Sequence, residues 1–319
     1  MENIYLGIDV GGTAIKAGAV TPEGIIMEKQ TISTEVDQGV DHVIGRIADV
    51  IKKLSAALSS NTKIAGIGLG MPGQIDTERG ILLNSPNLPA FKNIDVPARL
   101  TSYFNLPIVW DNDANLAALG EFTYGAGKEV SEMMLITLGT GIGSGLILRG
   151  EIYHGCKGFG GEFGHLTINP EGPPCNCGSK GCVEAYAGTH GILRTFREIT
   201  QAGTESILPE TNDNELTPKD ISDAAQKGDR AARETFNQVG FYLGVGLAGV
   251  VNLLNLEMIV VGGGIAKAGD LILEPVRKSV KQYALIDPGK IIKIVPSKLG
   301  NTAGLVGAAH LARLAVENK

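Results

Sequence analysis

The densest chemistry in the chain lies in residues 161–184. Gly161-Glu162-Phe163-Gly164-His165 is followed by Cys175-Asn176-Cys177-Gly178-Ser179-Lys180-Gly181-Cys182-Val183-Glu184. One imidazole and three thiols stand at a spacing that suits a tetrahedral metal, and Zn²⁺ prefers these donors. Four protein ligands leave no open position, so the implied role is structural. Three of the chain's four cysteines belong to this cluster. Glu162 and Glu184 flank the ligands, so a metal here would shape a loop that presents two acids to something polar. The remaining cysteine, Cys156, is expected to be buried or partly buried, as free cysteines commonly are.

Two glycine turns suggest phosphate binding. Asp9-Val10-Gly11-Gly12-Thr13 joins two strand-like runs. Its glycines would let backbone N–H groups approach phosphate oxygens, Thr13 adds a hydroxyl, and Asp9 can hold Mg²⁺ directly or through water. Gly139-Thr140-Gly141-Ile142-Gly143 repeats the theme without an acid. Either turn alone can be a plain hairpin; together they suit one nucleotide tail gripped from two lobes. Gly68-Leu69-Gly70-Met71-Pro72-Gly73 fits the dinucleotide pattern, but no helix is expected to start there. Trp110-Asp111-Asn112-Asp113-Ala114-Asn115 crowds carboxylates and amides at the end of a strand, where α/β proteins bind ligands. Helix capping by Asn112 or Asp113 is the alternative use of these side chains.

These residues need elements to position them. Residues 4–10, 14–20 and 25–34 read as a meander of antiparallel strands. Residues 40–59 have helical periodicity, with apolar Val43, Ile47, Ile51 and Leu54. Strands follow at 64–69 and 108–111, and a helix at 114–124. The pattern then restarts with strands at 132–138 and 142–148, which suggests an internal duplication into two α/β lobes. Thr217-Pro218-Lys219-Asp220 reads as a helix start, after an exposed loop at 205–215. Residues 239–256 carry no charge but include four Gly and two Asn, so a helix buried between layers is expected rather than a membrane span. A strand at 258–261 and a final helix at 304–318 complete the pattern.

The chain has 319 residues, enough for two domains. At 43% hydrophobic and 19% charged it is ordinary for a soluble globular protein. A net charge of −6 argues against a general nucleic-acid binder. The first ten residues lack the basic start of a signal peptide, so a reducing cytoplasm is expected.

Taken together, these motifs resemble the ROK family of sugar kinases, and within it bacterial glucokinases. The resemblance rests on the hairpin from Asp9 to Gly18, Ser85-Pro86-Asn87-Leu88-Pro89, Asn112-Asp113, Gly139-Thr140-Gly141, Glu162-x-x-His165 and Cys175-x-Cys177-x4-Cys182-x-Glu184. It implies an α/β, actin-like ATPase (ribonuclease H-like) fold of two lobes with a cleft between them. The expected lobes are a small one at 1–118 plus 305–319 and a large one at 119–304 that carries the zinc. The implied activity is ATP-dependent phosphorylation of the 6-hydroxyl of a hexose, with glucose the expected sugar. N-acetylglucosamine, N-acetylmannosamine, mannose or fructose are alternative substrates, polyphosphate is an alternative donor, and a sugar-sensing repressor is the alternative of another class. Such repressors carry a DNA-binding helix-turn-helix ahead of the first hairpin, and with Asp9 so near the first residue none is expected here.

By the same resemblance Asp113 is the catalytic base. Asn87, Asn112, Asp113, Glu162, His165 and Glu184 hold the sugar. His165 serves twice, one ring nitrogen on structural Zn²⁺ with Cys175, Cys177 and Cys182, the other toward the sugar. Asp9, Gly11, Gly12, Thr13, Lys16, Gly139, Thr140 and Gly141 hold Mg-ATP, and Gly262, Gly263 and Gly264 lie along the adenine. After Glu184 the family often continues Ala-Ser-Gly; here it is Ala187-Gly188-Thr189. A cytoplasmic homodimer or homotetramer, free of nucleic acid and membrane, is the expected context.

Overall fold

The computed structural model describes residues 2–209 and 216–317. The chain begins with β1 (Glu2–Val10), β2 (Ala14–Val20) and β3 (Ile26–Ser33), then α1 (Val40–Ala57). Next come β4 (Thr62–Met71), the short hairpin β5 (Gln74–Asp76) and β6 (Ile81–Asn84), α2 (Val96–Leu100), β7 (Ile108–Asn112) and α3 (Asp113–Tyr124). The pattern restarts with β8 (Met133–Leu138), β9 (Ile142–Leu148) and β10 (Glu151–Ile152). Helices α4 (Val183–Ala187), α5 (Thr189–Gln201), α6 (Pro218–Gln226) and α7 (Arg230–Leu254) follow. The chain closes with β11 (Met258–Gly262), α8 (Asp270–Tyr283), α9 (Ile286–Ile291), β12 (Lys293–Pro296) and α10 (Ala303–Glu317).

The strands form two five-stranded sheets of matching order, β3-β2-β1-β4-β7 and β10-β9-β8-β11-β12. In the first, β1 pairs antiparallel with β2 and parallel with β4, and β4 runs parallel to β7. In the second, β9 and β10 are antiparallel, while β8, β11 and β12 are parallel. The restart in the sequence is thus a repeated topology. Contacts divide the chain into one unit of Met1–Glu129, Gly145–Gly161 and Lys298–Lys319, and another of Val130–Ser144 and Glu162–Ser297. These bounds differ from those expected: a break at residue 118 would cut α3, which runs unbroken to Tyr124.

In the first unit, one face of the sheet buries Ile4, Leu6, Ile8 and Val10 against Val43, Ile47, Ile51 and Leu54 of α1. The other face receives Leu305, Val306, Ala309 and Ala312 of α10. That helix lies so close that a Cβ on Gly7 would stand 1.9 Å from the Leu305 carbonyl oxygen, and one on Gly68 1.8 Å from that of Ala308. Two strand glycines therefore serve helix packing rather than a ligand. Gly68 and Gly70 lie within β4, and Gly73 turns the chain at φ +111° toward β5, so the dinucleotide pattern opens no helix.

In the second unit α7 is longer than its charge-free stretch and is the described helix long and apolar enough to cross a membrane. It packs against α8, whose Pro275 and Ser279 press on Gly240 and Gly244. Its burial is one-sided rather than complete, since Leu253 is 82% exposed. The helix start at Thr217 is a capping box with Asp220, with Pro218 in the first turn. Cys156 is exposed, contrary to expectation, in a short loop where Lys157 takes a left-handed φ of 59°. Positions 210–215 of the expected loop and residue 318 of the expected last helix lie outside the described residues.

One buried acid braces the first unit. Glu121 of α3 is 0% exposed. Its carboxyl oxygens accept the N–H groups of Ala126 at 2.8 Å, Lys298 at 3.2 Å and Leu299 at 2.7 Å. These donors stand near the first exit of the chain from the unit and at its last return. Glu121→Ala would remove the acceptor of these three part-buried bonds, at about 1 kcal/mol for each hydrogen bond lost. Urea unfolding should show a midpoint lowered to match; a midpoint equal to the wild type's would show that the side chain braces nothing.

Candidate functional site

In the first unit, β7 passes directly into α3. Asn112 is the N-cap, and its Oδ1 accepts the N–H groups of Ala114 at 2.9 Å and Asn115 at 3.3 Å. Its Nδ2 donates to the Gly73 carbonyl at 3.0 Å. The capping use weighed for Asn112 is therefore real, and it leaves one amide hydrogen for a ligand. Asp113 follows in the first helical turn, where Oδ1 accepts the Ala114 N–H at 2.9 Å. Burial, and secondarily the charge of Asp9, raise its pKa from the ordinary carboxylate range to about 6.

Asp9 ends its run in β1, and Lys16 Nζ reaches its Oδ2 at 3.0 Å. The start of α10 closes over it: a Cβ on Gly304 would lie 3.5 Å from the Asp9 carboxyl carbon. In the adjoining turn Gly11 N–H bonds to the Ala14 carbonyl, while Thr34 donates to the Gly11 and Thr13 carbonyls. Thr13 is exposed. Asn87 sits against this turn, its carbonyl oxygen 3.0 Å from where a Gly12 Cβ would be. So Asp9, Gly11, Gly12, Thr13, Lys16, Asn87, Asn112 and Asp113 share one unit, and Asp9 is near enough to Asp113 to perturb it. Two mutually repelling carboxylates and an open backbone turn make a fitting place for a hydrated divalent cation.

A partner of Asp111 had no sequence signal. His154 Nε2 lies 2.6 Å from Asp111 Oδ2, and that hydrogen bond raises the His154 pKa against the opposing effect of burial. Asp111 Oδ1 takes the Asn112 N–H and the Asn115 side-chain amide. The pair pins the strand end that carries Asn112 and Asp113.

In the second unit, residues 163–184 fold into a knuckle. Cys175 N–H bonds to the Ser179 carbonyl and Gly178 N–H to the Cys175 carbonyl. Thr167 bridges to Cys182, which is the N-cap of α4. Ligand atoms of His165, Cys175, Cys177 and Cys182 all lie within 4.8 Å of one another. Sulfurs on a tetrahedral zinc with bonds of about 2.3 Å stand about 3.8 Å apart. Cys177 and Cys182 Sγ are 3.7 Å apart, and His165 Nδ1 is 3.7 Å from Cys175 Sγ. The four residues fit a closed metal centre with Nδ1 as the imidazole donor, which leaves Nε2 for another partner. Burial pushes the Cys175 thiol up to about 12, and a bond from the Ser179 N–H lowers Cys177. A thiol must give up its proton to bind a metal, so this affinity depends on pH.

Glu162 is exposed at the start of the turn containing His165. Glu184 is more committed: its Oε2 accepts the Ile142 N–H at 2.9 Å. It therefore lies on the Gly139-Thr140-Gly141 turn, itself closed by a bond from Gly139 N–H to the Gly141 carbonyl. Gly262 ends β11, Gly263 turns at φ +89° against Leu138, and Gly264 precedes a short helical turn at Ile265–Ala268. Glu162, His165, Glu184, both glycine segments and the three cysteines thus share the second unit.

The repeated sheets, each opening on a glycine turn, define the actin-like ATPase fold. The ROK family profile matches residues 5–315, and the chain belongs to the ROK family. It is 41% identical over 315 residues to a glucokinase of Halalkalibacterium halodurans, covering 97% of this chain and 94% of that one. It is 33% identical to a xylose repressor of Caldicellulosiruptor bescii, covering 95% of this chain and 76% of the repressor. Among solved structures, a ROK family glucokinase from Streptomyces griseus in complex with glucose and AMPPNP superposes with a TM-score of 0.82 at 34% identity, over 97% of this chain and 99% of that one.

The metal centre is directly testable. Wild-type protein should carry zinc by elemental analysis, and Cys177→Ala should lose it while the fold survives. Wild type purified without chelators and free of zinc would contradict the fit.

Proposed function

We propose that this protein is an ATP-dependent hexose kinase that converts glucose to glucose 6-phosphate. The observation that carries the reading is Asp113, a carboxyl with a pKa of about 6 at a helix start, sharing its unit with the glycine turn of Asp9. Such a group is ionised at neutral pH yet more basic than an ordinary carboxylate, which suits a general base. Glucokinase relatives matched nearly end to end support the choice of sugar and of ATP.

In the proposed reaction Asp113 takes the proton of the sugar 6-hydroxyl as that oxygen attacks the γ-phosphorus. The new O–P bond forms as the bond to the bridging oxygen breaks, and ADP leaves. Catalysis here is mostly positioning and charge stabilisation. Asn87, the remaining Asn112 amide hydrogen, Glu162, His165 Nε2 and Glu184 bond to sugar hydroxyls, each of which both donates and accepts. A misplaced hydroxyl leaves a polar group unpaired at about 1–3 kcal/mol, which is the basis of sugar selectivity. The turns at Gly11-Gly12-Thr13 and Gly139-Thr140-Gly141, with Lys16, hold the phosphates, and Gly262, Gly263 and Gly264 border the adenine. Asp9 would hold Mg²⁺, which supplies charge neutralisation to the phosphates. Structural Zn²⁺ on His165, Cys175, Cys177 and Cys182 would keep Glu162, His165 and Glu184 in place. The reading includes a cytoplasmic location, where four free cysteines would stay reduced, and a homodimer or homotetramer.

Coupled ADP release across a panel of hexoses should give glucose the highest kcat/KM. A preference for an N-acetyl sugar would overturn the assignment, and specific operator retention without turnover would favour the repressor reading that the xylose repressor relative suggests. Asp113→Asn should cut turnover by about 10²–10⁴-fold while glucose still binds. Because the base must be ionised, wild-type kcat/KM should rise with pH through about 6, following the raised pKa of Asp113. Near-normal turnover in the variant, or a flat profile from pH 5 to 7, would remove Asp113 as base.

A further inference from the structure

The Gly139-Thr140-Gly141 turn is held at both ends by one short segment, and that segment starts on a metal ligand. Cys182 caps α4. Two residues on, Glu184 Oε2 accepts the N–H of Ile142, the residue that leaves the turn, at 2.9 Å. The other oxygen, Oε1, lies 3.8 Å from Cys175 Sγ. At the far end of α4, Gly188 N–H returns to the Glu184 carbonyl at 2.9 Å. Thr189 then gives both its N–H, at 3.1 Å, and its hydroxyl, at 3.0 Å, to the carbonyl of Gly139, the residue that enters the turn. The fit at the exit is close: a Cβ on Gly141 would stand 2.4 Å from Glu184 Oε2. A side chain at Gly141 would have to displace this carboxylate from its bond to Ile142.

We propose that Glu184 and Thr189 are positioning residues for this turn, and that through them the His165/Cys175/Cys177/Cys182 centre sets nucleotide affinity as well as the sugar-facing acids. This rests on the reading of the turn as a phosphate holder. The physical route is short. A cation would fix Cys182, the N-cap of α4, and with it the start of the short helix that carries Glu184. The carboxylate then fixes the Ile142 amide. Without the cation, α4 is a helix of five residues, too short to hold its own shape. Thr189 matters because its hydroxyl is a second anchor that no metal ligand touches.

The test measures nucleotide binding and local order in the full-length protein without sugar. AMPPNP affinity is read by calorimetry, and hydrogen exchange by mass spectrometry on peptides spanning 137–143. Removing the metal with a chelator should speed exchange at the Ile142 amide and weaken AMPPNP binding by about tenfold, the scale of losing one or two hydrogen bonds. Thr189→Val keeps the metal and the backbone bond but loses the hydroxyl. It should raise the AMPPNP Kd and the ATP KM by about three- to tenfold and leave the glucose KM unmoved. Exchange over 137–143 that ignores metal removal, with AMPPNP affinity intact, would overturn the coupling. So would faster exchange with unchanged affinity, or a Thr189→Val variant altered only in glucose KM. Failure of the metal-loaded wild type to bind AMPPNP at all would instead overturn the phosphate reading beneath it.

Discussion

The capping of α3 by Asn112 is the contact on which the placement of the Asp113 carboxyl depends. Strand β7 ends and α3 begins with no intervening loop, so the backbone must turn within one residue. The Asn112 side chain makes this possible by accepting the N–H groups of Ala114, which it shares with Asp113, and Asn115, and by tying itself to Gly73. The rest of the first unit defends that junction. Asp111, braced by His154, holds it from the strand side. Glu121 anchors the far part of the same helix. Glycines in β1 and β4 let α10 approach closely enough that its start closes over Asp9. Burial then does to Asp113 what chemistry at neutral pH requires, lifting a carboxyl toward neutrality without removing its charge altogether.

The second unit solves a different problem. Glu162, His165 and the three cysteines lie on a long, largely irregular stretch between β10 and α4. Four side chains whose ligand atoms lie within 4.8 Å of one another could supply order there if they held a metal. The same stretch touches the core through Phe163 and through Gly164, where a Cβ would lie 2.4 Å from the Ile142 carbonyl oxygen. The knuckle and the glycine turn are therefore neighbours in a packed layer.

What was legible in the sequence was local. The His165 and cysteine cluster spans 18 residues, and its ligand types and spacing announce it. The capping box at Thr217 and Asp220, the periodic face of α1 and the two glycine turns are likewise short-range patterns. The strand–turn–strand motif that occurs twice marks the duplication, and the matching order of the two sheets is a finding of the structure. What escaped was set by distant pairing. His154 and Asp111 are 43 positions apart, and Glu121 meets Lys298 across 177. No periodicity marks such a pair. Residues 145–161 join the first unit for the same reason, and with them comes the exposed Cys156. Asn112 is a cap, and only the fold shows how much of its hydrogen-bonding capacity the cap uses.

The central claim is that the fold leaves Asp113 ionisable near neutrality and poised to take a proton. Carbon-13 NMR titration of labelled aspartate in the substrate-free protein, with Asp113→Asn to assign the resonance, tests it most directly. The account predicts a midpoint of about 6 for that carboxyl. A midpoint near the unperturbed aspartate value of about 4 would contradict it.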